Sequence, residues 1–307
     1  MTLFSRTTFN AFIDLKENKN RAPGFNLPIL LARFVKLEHS IFALPFAYAG
    51  AFLAQNRFPS WETMLWITVV MVTARSLAMG LNRIIDYEID ALNPRTSSRE
   101  IPSGRLSIDE AVSFCAISLA LLAIAIYQLP RLTWFLFPVV IAAFVVYPYT
   151  KRFTPLCHVF LGATIGLAPV GAWLAVTGSM DWQPWLLFGV VTFWIGGFDI
   201  VYACLDVDFD RTLGLRSIPG SLGVGKALWV TRIFHGLALS LLVAEGAVRQ
   251  RGIVYFSGVA AVAVLLAYEN SIVSARDLSR VNTAFMTMNG VISMVYIGFV
   301  AADLVVR

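Results

Sequence analysis

Two short stretches of this chain carry side chains that could do chemistry, in matching order. NRIIDYEIDALNPRTSSREIPSG places Asn82, Asp86 and Asp90 four residues apart, followed by Arg95 and Arg99. YACLDVDFDRTLGLRSIPG places Tyr202, Asp206 and Asp210 at the same step, followed by Arg211 and Arg216. A step of four keeps side chains on one face of a helix, so each stretch predicts a helix that presents a pair of carboxylates. Asp199, seven before Asp206, and Arg75, seven before Asn82, fall on the same faces, whereas Glu88 and Asp208 fall off them. Paired carboxylates suit a hard divalent cation. Mg²⁺ in particular takes one or two of them and completes its shell with waters and substrate phosphates. Two such pairs point to Mg²⁺ clamping a polyphosphate, with Arg95, Arg99, Lys151, Arg152, Arg211 and Arg216 meeting the remaining phosphate charge.

The elements that must position these residues are membrane spans. The 307 residues are 58% hydrophobic and 14% charged, whereas a soluble domain carries about 25% charged residues. Too little polar surface is available to face water all round, so the expected class is an all-α polytopic membrane protein. Nine apolar helical spans are predicted, over 37–56, 60–86, 108–129, 132–149, 155–176, 183–205, 224–246, 252–273 and 283–304. The apolar segment 25–35 is too short to cross and is expected to lie in the interface. The predicted organisation is therefore an N-terminal segment, 1–36, and a single transmembrane domain, 37–307.

Most of the 24 Lys and Arg residues fall on one side of this arrangement. By the positive-inside rule the N-terminus and both Asp-rich loops are cytoplasmic and the C-terminus lies opposite. The basic pI of 9.2 is thereby explained as a topology signal, and no nucleic acid partner is expected. The repeated order of Asp pair, Arg-Thr and Ile-Pro predicts two related half-bundles around a central cavity. Cys115, Cys157 and Cys204 have no paired spacing, which predicts neither disulfide nor zinc site. His39, His158 and His235 are scattered and are expected to be structural.

These motifs resemble the UbiA superfamily of intramembrane aromatic prenyltransferases across essentially the whole chain. Asn82, Asp86 and Asp90 match its first Asp motif, and Tyr202, Asp206 and Asp210 its second. RTSSREIPSG, with Arg95, Arg99 and Gly104, matches the loop after the first motif, and Tyr147 and Lys151 in YPYTK match its Y-x-x-x-K motif. Asp199 corresponds to an upstream Asp common in the 4-hydroxybenzoate branch. FALPFA, KRFTPLCH, APVGAW and GGFDIVYA look like a bacterial branch of 4-hydroxybenzoate type, some of whose members are assigned to menaquinone synthesis through futalosine. One departure is Glu100, where many relatives have Pro.

The resemblance implies Mg²⁺-dependent transfer of a polyprenyl group from its diphosphate to an aromatic carboxylic acid, in quinone synthesis at a bacterial inner membrane. Asp86, Asp90, Asp206 and Asp210 would hold the metal. Asn82, Arg95, Arg99, Tyr147, Lys151, Arg152, Tyr202 and Arg211 would bind the diphosphate. Arg75 would pair with the acceptor carboxylate, or with one of the aspartates. Asp199 would orient the phenol or take its proton, or else stand behind the metal. The acceptor is 4-hydroxybenzoate or 1,4-dihydroxy-6-naphthoate. The prenyl tail needs an apolar passage, for which Gly162, Gly166 and Gly171 are either lining or close packing positions. A CDP-alcohol phosphatidyltransferase would need D-G and A-R pairs that are absent near Asp86 and Asp206. A transporter would place its charges nearer the bilayer midplane.

Overall fold

The computed structural model describes residues 27–36 and 40–307. Its elements are α1 (Leu27–Phe34), α2 (Ser40–Gln55), α3 (Trp61–Ile85), α4 (Tyr87–Leu92), α5 (Ile108–Tyr127), α6 (Leu132–Thr150) and α7 (Cys157–Thr177). They continue with α8 (Pro184–Ala203), α9 (Val207–Leu213), α10 (Ile218–Leu222), α11 (Val224–Val248), α12 (Ile253–Ser271) and α13 (Asn289–Val306). The architecture is all-α, as expected. Among the described residues, eight helices are long and apolar enough to cross a membrane. The ninth predicted span corresponds to α2, for which 16 residues are described. The last span opens with a π-helical stretch, Thr283–Met288, before α13.

Neighbouring spans pack in sequence order (α5 on α3, α7 on α6, α8 on α7, α11 on α8, α13 on α12), and α13 returns to α2 and closes the ring. The main core, with Phe46, Trp173, Trp194, Tyr255 and Tyr296, lies between α2, α7, α8, α11, α12 and α13. The large apolar side chains left exposed, such as Phe135, Val264 and Ile253, suit hydrocarbon as solvent. The short helix α1 buries Leu30 and Phe34 against Ile101, Leu106 and Ala111. It thus props the loop 93–106 that follows the first Asp motif. Residues 1–26 of the predicted N-terminal segment, and His39, lie outside the described residues.

Helices α7 and α8 approach very closely because α7 offers glycines. A Cβ on Gly162 would sit 2.1 Å from the carbonyl oxygen of Thr192, and one on Gly166 would sit 2.8 Å from that of Phe188. Small residues at such crossings let backbones touch. Gly171 is different, because its Cβ would meet only a Leu136 methyl at 3.7 Å. Gly162→Ala is therefore expected to destabilise the fold by at least about 2 kcal/mol, while Gly171→Ala is neutral; thermal unfolding in detergent reads both.

Candidate active site

Both Asp motifs sit where a span breaks. Helix α3 ends at Ile85, Asp86 leaves helical geometry (φ −98, ψ 5), and α4 resumes at Tyr87. Helix α8 ends at Ala203, a 3-10 turn covers Cys204–Asp206, Asp206 adopts φ −109, ψ 8, and α9 resumes at Val207. The continuous helical face expected from the spacing is thus corrected to two matched breaks, each at the first Asp of its motif. The four-residue hydrogen-bond step survives the first break, with Asp86 N–H donating to Asn82 O at 3.0 Å and Asp90 N–H to Asp86 O at 2.8 Å. That is why spacing still sorts the side chains: Asp86 and Asp90 are buried, whereas Glu88 and Asp208 are exposed.

Basic and amide groups from three segments meet these carboxylates. Lys151 Nζ donates to Asp86 Oδ2 at 2.7 Å, Asn82 Nδ2 donates to the same oxygen at 3.1 Å, and Arg152 lies 3.4 Å from Oδ1. Arg99 Nη1 donates to Asp90 Oδ2 at 2.6 Å. Arg95 crosses from the first loop to the second half-bundle. Its Nε donates to Asp206 Oδ1 at 2.8 Å, its Nη2 to Oδ2, and its Nη1 to the Tyr202 hydroxyl at 2.7 Å. Partial burial on its own would weaken the Arg95 charge, but the Asp206 and Tyr202 hydrogen bonds prevail and hold its pKa above the ordinary arginine value. Tyr202 is held in turn by a stacked Phe285, ring centroids 4.3 Å apart, from the π-helical stretch.

The two repeats are not used alike. Arg211, the counterpart of Arg95, does not reach an acidic side chain; its Nε donates to the Gly220 carbonyl at 3.0 Å. Arg216 donates to the Phe153 carbonyl at 3.1 Å. Asp210 accepts instead from Ser217 Oγ at 2.7 Å. Glu100, the departure noted in the sequence, faces the buried Arg83 at 3.6 Å, and so anchors the loop that carries Arg95 and Arg99 to the end of α3.

An apolar cavity of about 160 Å³ adjoins this polar lattice, within the first half-bundle between α3, α5, α6 and α7. From α6 it is lined by Thr133, Leu136, Phe137, Val140, Phe144 and Tyr147, steps of three and four that run almost the length of the helix. Gly171 lines it, and Gly162 and Gly166 do not. Arg75 and Tyr147 form its polar end. Tyr147 stands one helical turn before Lys151, the residue whose Nζ pairs with Asp86. Asp199 is partly exposed and accepts from the buried His158 at 2.7 Å.

The donor set suits a hard cation: carboxylates from both halves, each already facing positive charge or a hydrogen-bond donor, with the Asn82 amide beside Asp86. Among the described residues no three His, Cys, Asp or Glu side chains converge on one point. A metal held here by protein carboxylates one or two at a time, with phosphate oxygens completing its shell, matches what Mg²⁺ prefers.

Sequence reasoning passed over Asn93 and Ser217 and expected His158 to be structural. Asn93 Nδ2 donates to Asp206 Oδ1 at 3.0 Å while its Oδ1 accepts the Arg95 N–H at 2.9 Å. The Asn-Pro dipeptide was its signal, as a turn former. Ser217 caps α10, with Pro219 in the first turn behind it, a legible capping pattern. Nothing in the sequence couples His158 to Asp199 across 41 residues.

The profile of the UbiA prenyltransferase family matches residues 43–291. A 4-hydroxybenzoate octaprenyltransferase of Vibrio campbellii is 28% identical over 81% of this chain and 88% of its own. One of Nitrosospira multiformis is 29% identical over 83% and 88%. The apo structure of a UbiA homolog from Aeropyrum pernix aligns with TM-score 0.78 and 31% identity over 88% of this chain and 98% of that one. A UbiA homolog from Archaeoglobus fulgidus, solved bound to DMAPP and Mg²⁺, shares the fold with TM-score 0.71 at 19% identity over 90% and 99%.

Proposed function

This chain belongs to the UbiA prenyltransferase family, and from that premise we propose that it moves a polyprenyl group from its diphosphate to an aromatic acid of the 4-hydroxybenzoate type in quinone synthesis, releasing diphosphate. One observation carries the reading. Tyr147 stands in the wall of the apolar cavity, one helical turn before Lys151, which pairs with Asp86, so a tail in the cavity delivers its allylic carbon to the polar lattice.

The chemistry breaks the allylic C1–O bond and forms a bond from C1 to a ring carbon, and the ring gives up a proton. Asp86, Asp90, Asp206 and Asp210 would hold Mg²⁺, which when bound would supply charge neutralisation for the departing diphosphate. Lys151, Arg152, Arg95 and Arg99, which pair with those aspartates, turn to phosphate oxygens as substrate binds, and Asn82 and Tyr202 hold the same group through hydrogen bonds. Arg211 joins them if α9 and α10 shift. Tyr147 lies next to the developing allylic cation, whose charge an aromatic face stabilises. Arg75, at the polar end of the cavity, pairs with the acceptor carboxylate, and Asp199 orients the phenol and accepts its proton.

The basic residues around both loops support a multi-pass placement in the bacterial inner membrane, with the N-terminus and site loops cytoplasmic. Membranes supplied with labelled octaprenyl diphosphate and either 4-hydroxybenzoate or 1,4-dihydroxy-6-naphthoate test the proposal. Labelled product is expected with 4-hydroxybenzoate. Product with the naphthoate alone would move the chain to the menaquinone route, and product with neither would remove the acceptor assignment.

A further inference from the structure

We propose that His158 is the positioning residue for Asp199. The inference rests on the reading of Asp199 as the residue that orients the acceptor.

The ring has two partners of opposite kind. His158 Nε2 accepts the backbone N–H of Ile218 at 3.3 Å. A nitrogen that accepts carries no proton, so the proton of the neutral ring is on Nδ1. Nδ1 lies 2.7 Å from Asp199 Oδ2 and donates to it. The imidazole is 3% exposed, whereas the Asp199 side chain is 24% exposed. Asp199 is therefore tied from behind at Oδ2, which leaves Oδ1 for a substrate group. Around this ring two segments interlock. Arg216 N–H donates to the Lys151 carbonyl at 2.7 Å, and Ser217, the residue before Ile218, holds Asp210 at 2.7 Å. One connection, 151–158, thus delivers Lys151 to Asp86 and His158 to Asp199 while bracing the segment that fixes Asp210.

A carboxylate that aims a phenol loses rate steeply when its support slackens, since a misplacement of about 1 Å costs on the order of 10²-fold. Three variants separate the two ring nitrogens. His158→Asn keeps an N–H where Nδ1 stands, His158→Gln reaches instead to the Nε2 position, and His158→Phe keeps neither. In the purified protein, kcat/KM for the acceptor is expected to fall on the order of 10²-fold in the Gln and Phe variants and to stay near wild type in the Asn variant. KM for the prenyl diphosphate is expected to be unchanged in all three. Equal activity of the Asn and Gln variants, or a wild-type acceptor profile in the Phe variant, would overturn the inference.

A second readout does not depend on turnover. ¹⁵N spectra of histidine-labelled protein, assigned by the signals lost in His158→Asn, are expected to show a neutral ring protonated at Nδ1. A ring protonated at Nε2, alone or as imidazolium, overturns it. Wild-type protein that shows this tautomer yet prenylates neither acceptor sinks the acceptor assignment and supports the pinning of Asp199.

Discussion

Replacing Asp86 or Asp206 by alanine is expected to lower Mg²⁺-dependent prenyl transfer by at least about 10³-fold, because several kcal/mol of leaving-group stabilisation goes with the ion. The protein should remain folded. Asp86 faces Lys151 and Arg152, whose side chains are 28% and 39% exposed, and Asp206 faces Arg95, which is 31% exposed. These cations can turn to water once their partner is gone, so breaking the pair does not strand a buried charge. Asp208→Ala is the control, because that side chain is exposed and lies off the shared face. Labelled-product assays on membranes, with size-exclusion profiles of the purified variants, decide the matter. Full activity in either Asp86→Ala or Asp206→Ala would sink the model of two cooperating clusters.

The second large effect concerns the tail. Gly171→Phe puts a ring into a cavity of about 160 Å³ at a position where a new Cβ meets only one methyl, at 3.7 Å. The ring fits without disturbing the α7–α8 crossing, which depends on Gly162 and Gly166 rather than Gly171. Transfer from octaprenyl diphosphate is expected to fall at least about 10²-fold, since the tail can no longer lie where it brings its reactive carbon into register. Transfer from DMAPP, whose tail ends before the block, should stay within a few-fold of wild type. Parallel assays with the two donors give the comparison. Equal loss with both donors would move the tail out of this cavity.

Much of the architecture was legible because lipid leaves a chain few options. Every backbone group in a span must be satisfied within it, so long apolar runs become helices, and the predicted spans fall within a few residues of α2 to α13. The spacing of Asn82, Asp86 and Asp90 chose the inward side chains correctly and set aside Glu88, because hydrogen bonding four residues apart persists through the helix break. The break was not legible: Asp86 and Asp206 leave helical geometry without a Pro or Gly at either position to announce it. The repeat also overstated the symmetry. Arg95 and Arg211 occupy matching places in sequence, yet one reaches Asp206 and the other folds back on Gly220.

The sequence alone determined the membrane class, the approximate limits of the apolar helices, the carboxylates of the first motif that are buried and the family whose motifs they carry. These are local matters, decided by hydropathy over some twenty residues and by side-chain spacing within a few helical turns. The tertiary structure decided the rest: which cation meets which carboxylate, that Gly171 opens a cavity while Gly162 closes a helix contact, and that His158 stands behind Asp199. Each of those depends on residues from helices far apart in the chain, and their approach is set by packing across the whole ring of spans, which no local pattern records.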